Sequence, residues 1–455
     1  MIMELKDKKV LVVGLARTGE ALCRFLLRRE ARVRVTEKKT WEALGRRAAL
    51  LRERGVEFET GGHKLETFLG ADLVVLSPGV PPLSEAGAAA EKGIPVISEI
   101  ELAYAFLKGR IVGITGSNGK STTTTLAHRI LEDSGLRAFA AGNIGTPLIS
   151  FAARSRDDDI YVSEISSFQL DAVRDFKVAV SAFLNISLNH LDWHGSFENY
   201  HAAKKKLVLA QVKGDAAILN RDDPLVWALR PEAMSKVYAF SRRRKVARGC
   251  FLKDGRIVLR DRVEMALMQA SEVRLPGLHN LENVMAAALV GHLFGVLPRR
   301  MRATIKGFKG LEHRLENVLT IKGVLFVNDS KATTVDAAIK ALESFDRKIV
   351  LILGGKDKGG DFTLLRRPLE KKVRKVLLIG QAAGKIRAAV EGTVPLETAA
   401  SFKELVRKGF EAALPGDVVL LAPACTSWDM FNNFEERGRT FKREVKSLAR
   451  KMEGR

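Results

Sequence analysis

The residues with the clearest chemistry lie in the string Thr115-Gly116-Ser117-Asn118-Gly119-Lys120-Ser121-Thr122, which follows the strand-like Arg110 to Ile114 and opens a helical pattern. A buried strand, a glycine turn and Lys-Ser-Thr at the head of a helix are the parts of a nucleotide-phosphate cradle. Gly116 and Gly119 let the backbone from Ser117 and Asn118 approach phosphate oxygens, and the helix N-terminus adds partial positive charge. Lys120 can reach the β- and γ-phosphates, and a hydroxyl from Ser121 or Thr122 can ligate Mg²⁺. The common spacing puts a glycine five positions before the Gly of Gly-Lys. Here Ile114 occupies that place and Gly113 stands one residue earlier, so the loop reads Gly-x-x-Gly-Lys-Ser.

Two further residues fall where a metal-bound phosphate would need them. Glu164 follows the strand-like Ile160 to Val162, and a carboxylate beyond a strand's carboxyl end, near a phosphate loop, suits Mg²⁺. A buried or capping Glu fits the same position. His190 lies past the next strand, Val178 to Ile186, as a metal ligand or as a structural imidazole.

The elements that must position these residues form three blocks. In the first, to about residue 108, Lys9 to Val13, Arg32 to Val35 and Leu73 to Leu76 read as strands and Glu20 to Arg29 as a helix. The second adds Ala216 to Leu219, an antiparallel stretch over 237–275 and a helix from Asn280 to Gly291. The third, from Gly310, has strands at Val324 to Val327, Ile349 to Leu353, Val376 to Ile379 and Val418 to Leu421. Strands alternating with helices predict parallel, helix-covered sheets.

Composition narrows the function classes. No apolar run approaches the roughly 18 residues of a membrane span, and Met1 to Lys9 lacks the apolar stretch of a secretory signal. Cys23, Cys250 and Cys425 make an odd set without metal-ligand spacing, which fits a reduced, cytoplasmic setting. Lys and Arg number 75 against 53 Asp and Glu, a net charge of +22. The basic residues are dispersed, with short clusters at Lys204 to Lys206 and Arg242 to Lys245, and aromatics do not interleave with them. That pattern reads as a solvated basic surface favouring anionic small molecules, with no nucleic-acid partner.

Thr-Gly-x-Asn-Gly-Lys-Ser-Thr, Gly142-Asn143-Ile144-Gly145, Glu164-Ile165-Ser166-Ser167-Phe168-Gln169, Asn189-His190-Leu191-Asp192 and Tyr200-His201-Ala202-Ala203-Lys204 occur here in the order found in the Mur ligases. The chain resembles that family of ATP-dependent amide ligases of peptidoglycan precursor synthesis across all three blocks. The resemblance implies an α/β chain of three domains: a Rossmann-like domain for the uridine diphosphate substrate over 1–108, a central P-loop ATPase sheet over 109–309 and a C-terminal Rossmann-like domain over 310–455. It also implies ATP, two Mg²⁺ ions and a monomer. Glu164, His190 and Ser121 or Thr122 would hold metal. Lys204 would take up CO₂ as a carbamate, turning a cation into a carboxylate-like ligand.

The same resemblance assigns the remaining positions. Leu275-Pro276-Gly277-Leu278-His279-Asn280 would bring Asn280 to the adenine, and Gly310-Leu311-Glu312-His313-Arg314 would bring Arg314 to the phosphates, where a guanidinium forks onto oxygens. In Asn328-Asp329-Ser330-Lys331-Ala332-Thr333, Asp329 would hold the ribose and Lys331 would contact phosphate. Thr333, Lys358, Ser427 and Phe434 would bind the carboxylates of D-glutamate, Phe434 through its backbone. Leu15, Thr18, Lys38, Ser77 and Gly79 would line the uridine end, with Asn143, Ser166 and His190 along the rest of that substrate. The Asp-Asn-Pro-Arg string of the diamino-acid-adding relative is absent. The implied reaction activates the L-alanine carboxylate of UDP-N-acetylmuramoyl-L-alanine as an acyl-phosphate, which the D-glutamate amine attacks. A folate polyglutamyl ligase or a basic nucleic-acid ATPase shares the phosphate loop. The first would not need 100 residues for a uridine nucleotide, and the second would show salt-sensitive binding.

Overall fold

The computed structural model describes residues 3–143 and 145–453. Ile144, within the Gly142 to Gly145 string, lies outside them, as does the side chain of Asp192. The chain divides into two compact units, Met1–Val273 with Leu281–Gly307, and Arg274–Asn280 with Phe308–Arg455.

The first unit contains two sheets. One is wholly parallel, built from β1 (Lys9–Val13), β2 (Arg32–Glu37), β3 (Glu57–Thr60), β4 (Leu73–Leu76) and β5 (Val96–Ser98) in the order β3-β2-β1-β4-β5. Runs such as Val-Leu-Val-Val are buried almost throughout, as strands covered on both faces require. The order reverses between β1 and β4, so the turns after these strands open one crevice, where α/β sheets receive ligands.

The second sheet comprises β6 (Arg110–Thr115), β7 (Ala138–Gly142), β8 (Ile160–Glu164), β9 (Val180–Phe183), β10 (Ala216–Asn220), β11 (Lys236–Ser241), β12 (Gly249–Lys253), β13 (Arg256–Arg260) and β14 (Glu264–Gln269). Their order is β14-β13-β12-β11-β10-β9-β6-β8-β7. The antiparallel expectation for 237–275 holds only in part. β11 runs parallel to both β10 and β12, and antiparallel pairing begins at β12–β13. Asp254 and Gly255, with φ of +48° and +71°, make the tight turn there, a conformation that favours Asp-Gly in two-residue hairpins.

The second unit carries β15 (Glu316–Ile321), β16 (Val324–Asn328), β17 (Ile349–Gly354), β18 (Val373–Ile379), β19 (Leu396–Thr398) and β20 (Val418–Leu421) in the order β15-β16-β20-β17-β18-β19. All neighbours are parallel except β15 and β16. The helix Phe434–Glu453 packs Phe441, Val445 and Ala449 into one of the two cores flanking this sheet. Strands β3, β5, β7, β15 and β19 were not expected from the sequence: β3, β5, β15 and β19 have at most two adjacent apolar residues, and β7, Ala-Phe-Ala-Ala-Gly, is dominated by alanine. The helix expected from Glu20 begins at Arg17, and the strand expected over 178–186 is cut to Val180–Phe183.

Candidate functional site

The phosphate loop leaves β6 and enters the helix Lys120–Glu132. Gly119 has φ +84°, and a Cβ there would lie 2.2 Å from the Asn283 Oδ1, so only glycine fits. Asn283 also accepts from the Thr123 hydroxyl at 3.2 Å. The Asn118 N–H donates to the Asn185 Oδ1 at 2.8 Å, and the Asn185 amide donates back to the Asn118 carbonyl at 3.1 Å. The Ser117 Oγ meets the Tyr200 hydroxyl at 3.0 Å and donates to the Ser187 carbonyl at 3.1 Å. Lys120 curls back over the loop, its Nζ donating to the Gly116 and Ser117 carbonyls at 2.8 and 3.0 Å.

Sheet order explains why Glu164 belongs here, since β8 is the neighbour of β6 and both strands end at the loop. The Ser121 Oγ donates to Glu164 Oε2 at 2.6 Å, and the Asn143 Nδ2 donates to Glu164 Oε1 at 3.1 Å. Ser121 and Glu164, both expected at the metal, thus meet, and the same carboxylate also holds Asn143, which was expected along the uridine-linked substrate. Ser166 caps the helix Ser167–Asp171 in a reciprocal arrangement with Gln169.

Lys204 rises from the helix Phe197–Leu209 and is 1% exposed. Its Nζ donates to the Thr115 Oγ1 at 3.2 Å and the Gly116 carbonyl at 3.0 Å. Burial, with the charge of Lys120 adding to it and Glu164 opposing, holds its ammonium well below the usual lysine range. Tyr200, one helical turn earlier, was missed as a site residue although it stands in the same Tyr-x-Ala-Ala-Lys string; the i, i+4 spacing is the signal that could have found it. His190 adopts φ +54°, a left-handed conformation uncommon for a non-glycine residue. Its ring packs against Phe168 at 4.7 Å and Tyr200 at 5.9 Å between centroids.

At the first sheet, the Leu15 N–H donates to the Glu37 Oε2 at 2.7 Å and the buried Ser77 hydroxyl donates to the Gly14 carbonyl at 2.9 Å. Leu15, Ser77 and Gly79 therefore gather on the turns after β1 and β4, with Thr18 in the helix Arg17–Leu27 that follows. Lys38 lies exposed beyond β2. Glu37, which ends β2, was not among the expected residues, yet its carboxylate organises the β1 turn.

In the second unit, Asp329 and Lys331 follow β16. Burial pushes the Asp329 carboxyl up to about 7, against the charge of Arg314 and a hydrogen bond from the Leu315 backbone. The Lys331 Nζ stands 4.0 Å over the Phe434 ring, and the Thr333 N–H donates to the Lys331 carbonyl. Ser427 is buried after β20, while exposed Lys358 rests its Nζ 4.9 Å over the Trp428 ring. The Phe434 carbonyl accepts from the Ser330 hydroxyl at 2.8 Å. The Asn280 side chain donates to the Pro276 carbonyl.

A three-sheet α/β chain with this phosphate loop, carboxylate and buried lysine defines a class, and comparison with known proteins agrees with it. Residues 8–98 match the Mur ligase MurD-like N-terminal domain, 114–291 the Mur ligase middle domain and 313–425 the Mur ligase glutamate ligase domain. The chain belongs to the Mur ligase family. Among its relatives are the UDP-N-acetylmuramoylalanine–D-glutamate ligases of Acidobacterium capsulatum, 48% identical over 97% of this chain and 96% of that one, and of Koribacter versatilis, 46% identical over 98% and 99%. The fold is shared with the UDP-N-acetylmuramate-alanine ligase of Thermotoga maritima, at TM-score 0.60 and 17% identity over 97% of this chain and 100% of that one. Among the described residues, no helix is long and apolar enough to cross a membrane.

Proposed function

We propose that this protein joins D-glutamate to UDP-N-acetylmuramoyl-L-alanine with hydrolysis of ATP to ADP and phosphate, as a cytoplasmic monomer serving peptidoglycan precursor synthesis. The observation that carries the reading is the cluster at the phosphate loop, where Ser121 meets Glu164 at 2.6 Å and buried Lys204 reaches Thr115 and Gly116. A motor or switch needs a phosphate loop but not a buried lysine behind it. The relatives' shared name supplies the substrate pair.

In this reading 1–108 takes the uridine diphosphate, 109–309 carries the ATPase loop and 310–455 takes the amino acid and part of the nucleotide. Leu15, Thr18, Lys38, Ser77 and Gly79 hold the uridine end, with Asn143, Ser166 and His190 along the same substrate. Gly116 to Thr122, Asn280, Arg314 and Asp329 hold ATP. Thr333, Lys358, Ser427 and the Phe434 backbone hold D-glutamate. Lys120, Arg314 and Lys331 spread the charge that develops as the γ-phosphoryl passes to the L-alanine carboxylate. The amine of D-glutamate then attacks the acyl carbon and phosphate leaves.

The donor set at the loop suits Mg²⁺, because a carboxylate and a hydroxyl already face one another at hydrogen-bond distance. Glu164, Ser121 and His190 would hold one or both of two ions, which neutralise phosphoryl charge when bound. Lys204 as an ammonium cannot be a ligand. As a neutral amine it adds to CO₂, loses a proton and becomes a carbamate of ligand sign; its burial beside Lys120 favours the neutral form.

The test is phosphate release with each substrate withheld in turn, followed by an amino-acid panel. Release that needs both acceptor and D-glutamate is expected. Equal release without them, or product with L-lysine or diaminopimelate and none with D-glutamate, overturns the reading.

A further inference from the structure

Arg437, one of the largest wholly buried side chains among the described residues, is absent from the assignments above. It sits in the first turn of the helix Phe434–Glu453 and is 1% exposed. Its Nε donates to the Ser330 Oγ at 2.9 Å, its Nη2 to the Ser330 carbonyl at 2.8 Å and its Nη1 to the Cys425 carbonyl at 3.1 Å. Gly355 lies against the same guanidinium: a Cβ there would stand 3.2 Å from Nη1 and 2.1 Å from the Thr426 carbonyl. Ser330, Cys425 and Gly355 follow β16, β20 and β17, three adjacent strands. One planar group therefore ties together the loops at the carboxyl ends of the central strands.

These hydrogen-bond acceptors are all neutral. Among the described residues, no carboxylate oxygen is a hydrogen-bond partner of Arg437, although a buried cation is ordinarily neutralised by one. The acidic group facing it, Asp429, has one oxygen accepting from the Gln381 N–H at 3.0 Å. Burial lowers the guanidinium to about 10, so it stays charged at neutral pH. Five fixed N–H groups make arginine suited to holding several backbone carbonyls at set angles, which a lysine cannot do.

We propose that Arg437 is the positioning residue of the amino-acid subsite: it locks the loop carrying Ser330 and Thr333 to the Cys425–Ser427 loop, and its buried guanidinium, hydrogen-bonded to neutral groups with Asp429 as the acid facing it, favours a carboxylate in that subsite. The inference rests on the reading that these loops take D-glutamate. It distinguishes Arg437 from a packing residue because its loss weakens one substrate rather than all three.

The experiment is steady-state kinetics on the full chain with Arg437→Lys, Arg437→Met and Ser330→Ala, varying each substrate separately and recording thermal unfolding. Arg437→Lys keeps the charge and loses the fork. It is expected to raise KM for D-glutamate about 10-fold, leaving KM for ATP and for the uridine-linked acceptor within about twofold. Ser330→Ala removes one of the three acceptors and is expected to give the same selective rise at about threefold. Arg437→Met, losing fork and charge, is expected to exceed both. If Arg437→Met does not fold, the other two variants decide. An unchanged KM for D-glutamate in both, or a parallel rise in all three KM values with a fall in Tm, overturns the proposal. A wild-type chain that uses another amino acid, with the same selective rise in Arg437→Lys, sinks the substrate reading and leaves the role of Arg437 standing.

Discussion

Lys204 in the first unit and Arg437 in the second are both buried cations, and their surroundings differ in kind. Lys204 lies near a second cation, Lys120, and a carboxylate, Glu164, at the mouth of a loop whose residues are contiguous in sequence. Its environment disfavours its charge. Arg437 is surrounded by carbonyls and a hydroxyl from loops about 100 residues apart, and keeps its charge. A group whose charge is disfavoured is available for chemistry, whereas one held charged by a rigid fork is available for architecture. The first unit therefore carries a reactive centre gathered on one loop of contiguous residues, and the second a pocket assembled from loops far apart in the chain.

The largest effect should follow from removing the reactive lysine. Lys204→Ala is expected to lower kcat about 10³-fold, by loss of a ligand and of its charge stabilisation, while leaving KM for D-glutamate near the wild-type value. Single-substrate kinetics check this. A D-glutamate KM that rises as it does for Arg437→Lys would erase the contrast between the two cations.

Gly119→Ala should come next. Its new Cβ needs the space of the Asn283 Oδ1 and a left-handed backbone, a strain of order 1–3 kcal/mol. About 10- to 100-fold loss of kcat/KM for ATP is expected. Adding Asn283→Ala should recover the part due to the clash and leave the part due to φ. Full recovery would mean that the backbone angle contributes nothing.

Asp329 sharpens the comparison from the second unit. Its carboxyl titrates near 7 because burial favours the protonated form. If the ionised form accepts hydrogen bonds from the ribose, KM for ATP should fall several-fold, up to about 10-fold, as pH rises from 6 to 8. Asp329→Asn should flatten that profile. A profile unchanged by the substitution would place the titration elsewhere.

The smallest catalytic effect is expected at Glu99, at the start of the helix Glu99–Phe106. Its carboxylate accepts from the Ile149 N–H at 2.7 Å, and full burial pushes its pKa up to about 7 from 4.5. The folded chain then holds a proton that the unfolded chain releases near 4.5. Stability from this group is full below 4.5 and is lost as pH rises through 7, a span of about 3 kcal/mol. Glu99→Gln should leave kcat unchanged and remove this part of the fall in Tm between pH 5 and 8. An identical fall in both proteins would show that Glu99 does not titrate there.

How much of this was legible in the residues follows the same division. The phosphate loop and Glu164 were found because each sits within a short string beside an apolar strand, and β6 and β8 became neighbours as a parallel sheet requires, whereas Lys204, on a helix, was assigned only through the resemblance of its Tyr-x-Ala-Ala-Lys string. Tyr200 was legible in principle through its spacing from Lys204. Glu37 and Asn185 gave no signal, because an acid or amide after a strand reads equally as a turn residue. Arg437 gave none either: on an amphipathic helix rich in arginine, nothing in the residue order separates a buried guanidinium from the exposed ones at Arg439 and Arg443.

The sequence by itself determined the alternation of strands and helices, the phosphate cradle and the types of group that could hold a metal, because these depend on periodicity and on contacts within a few residues. Tertiary structure alone decided the strand order that sets Glu164 against Ser121, the burial that disfavours the Lys204 charge, and the meeting of Ser330, Gly355 and Cys425 around Arg437. The physical reason is that burial and charge environment belong to the packed interior, where residues distant along the chain exclude water from one another, and no local pattern encodes which of them will meet.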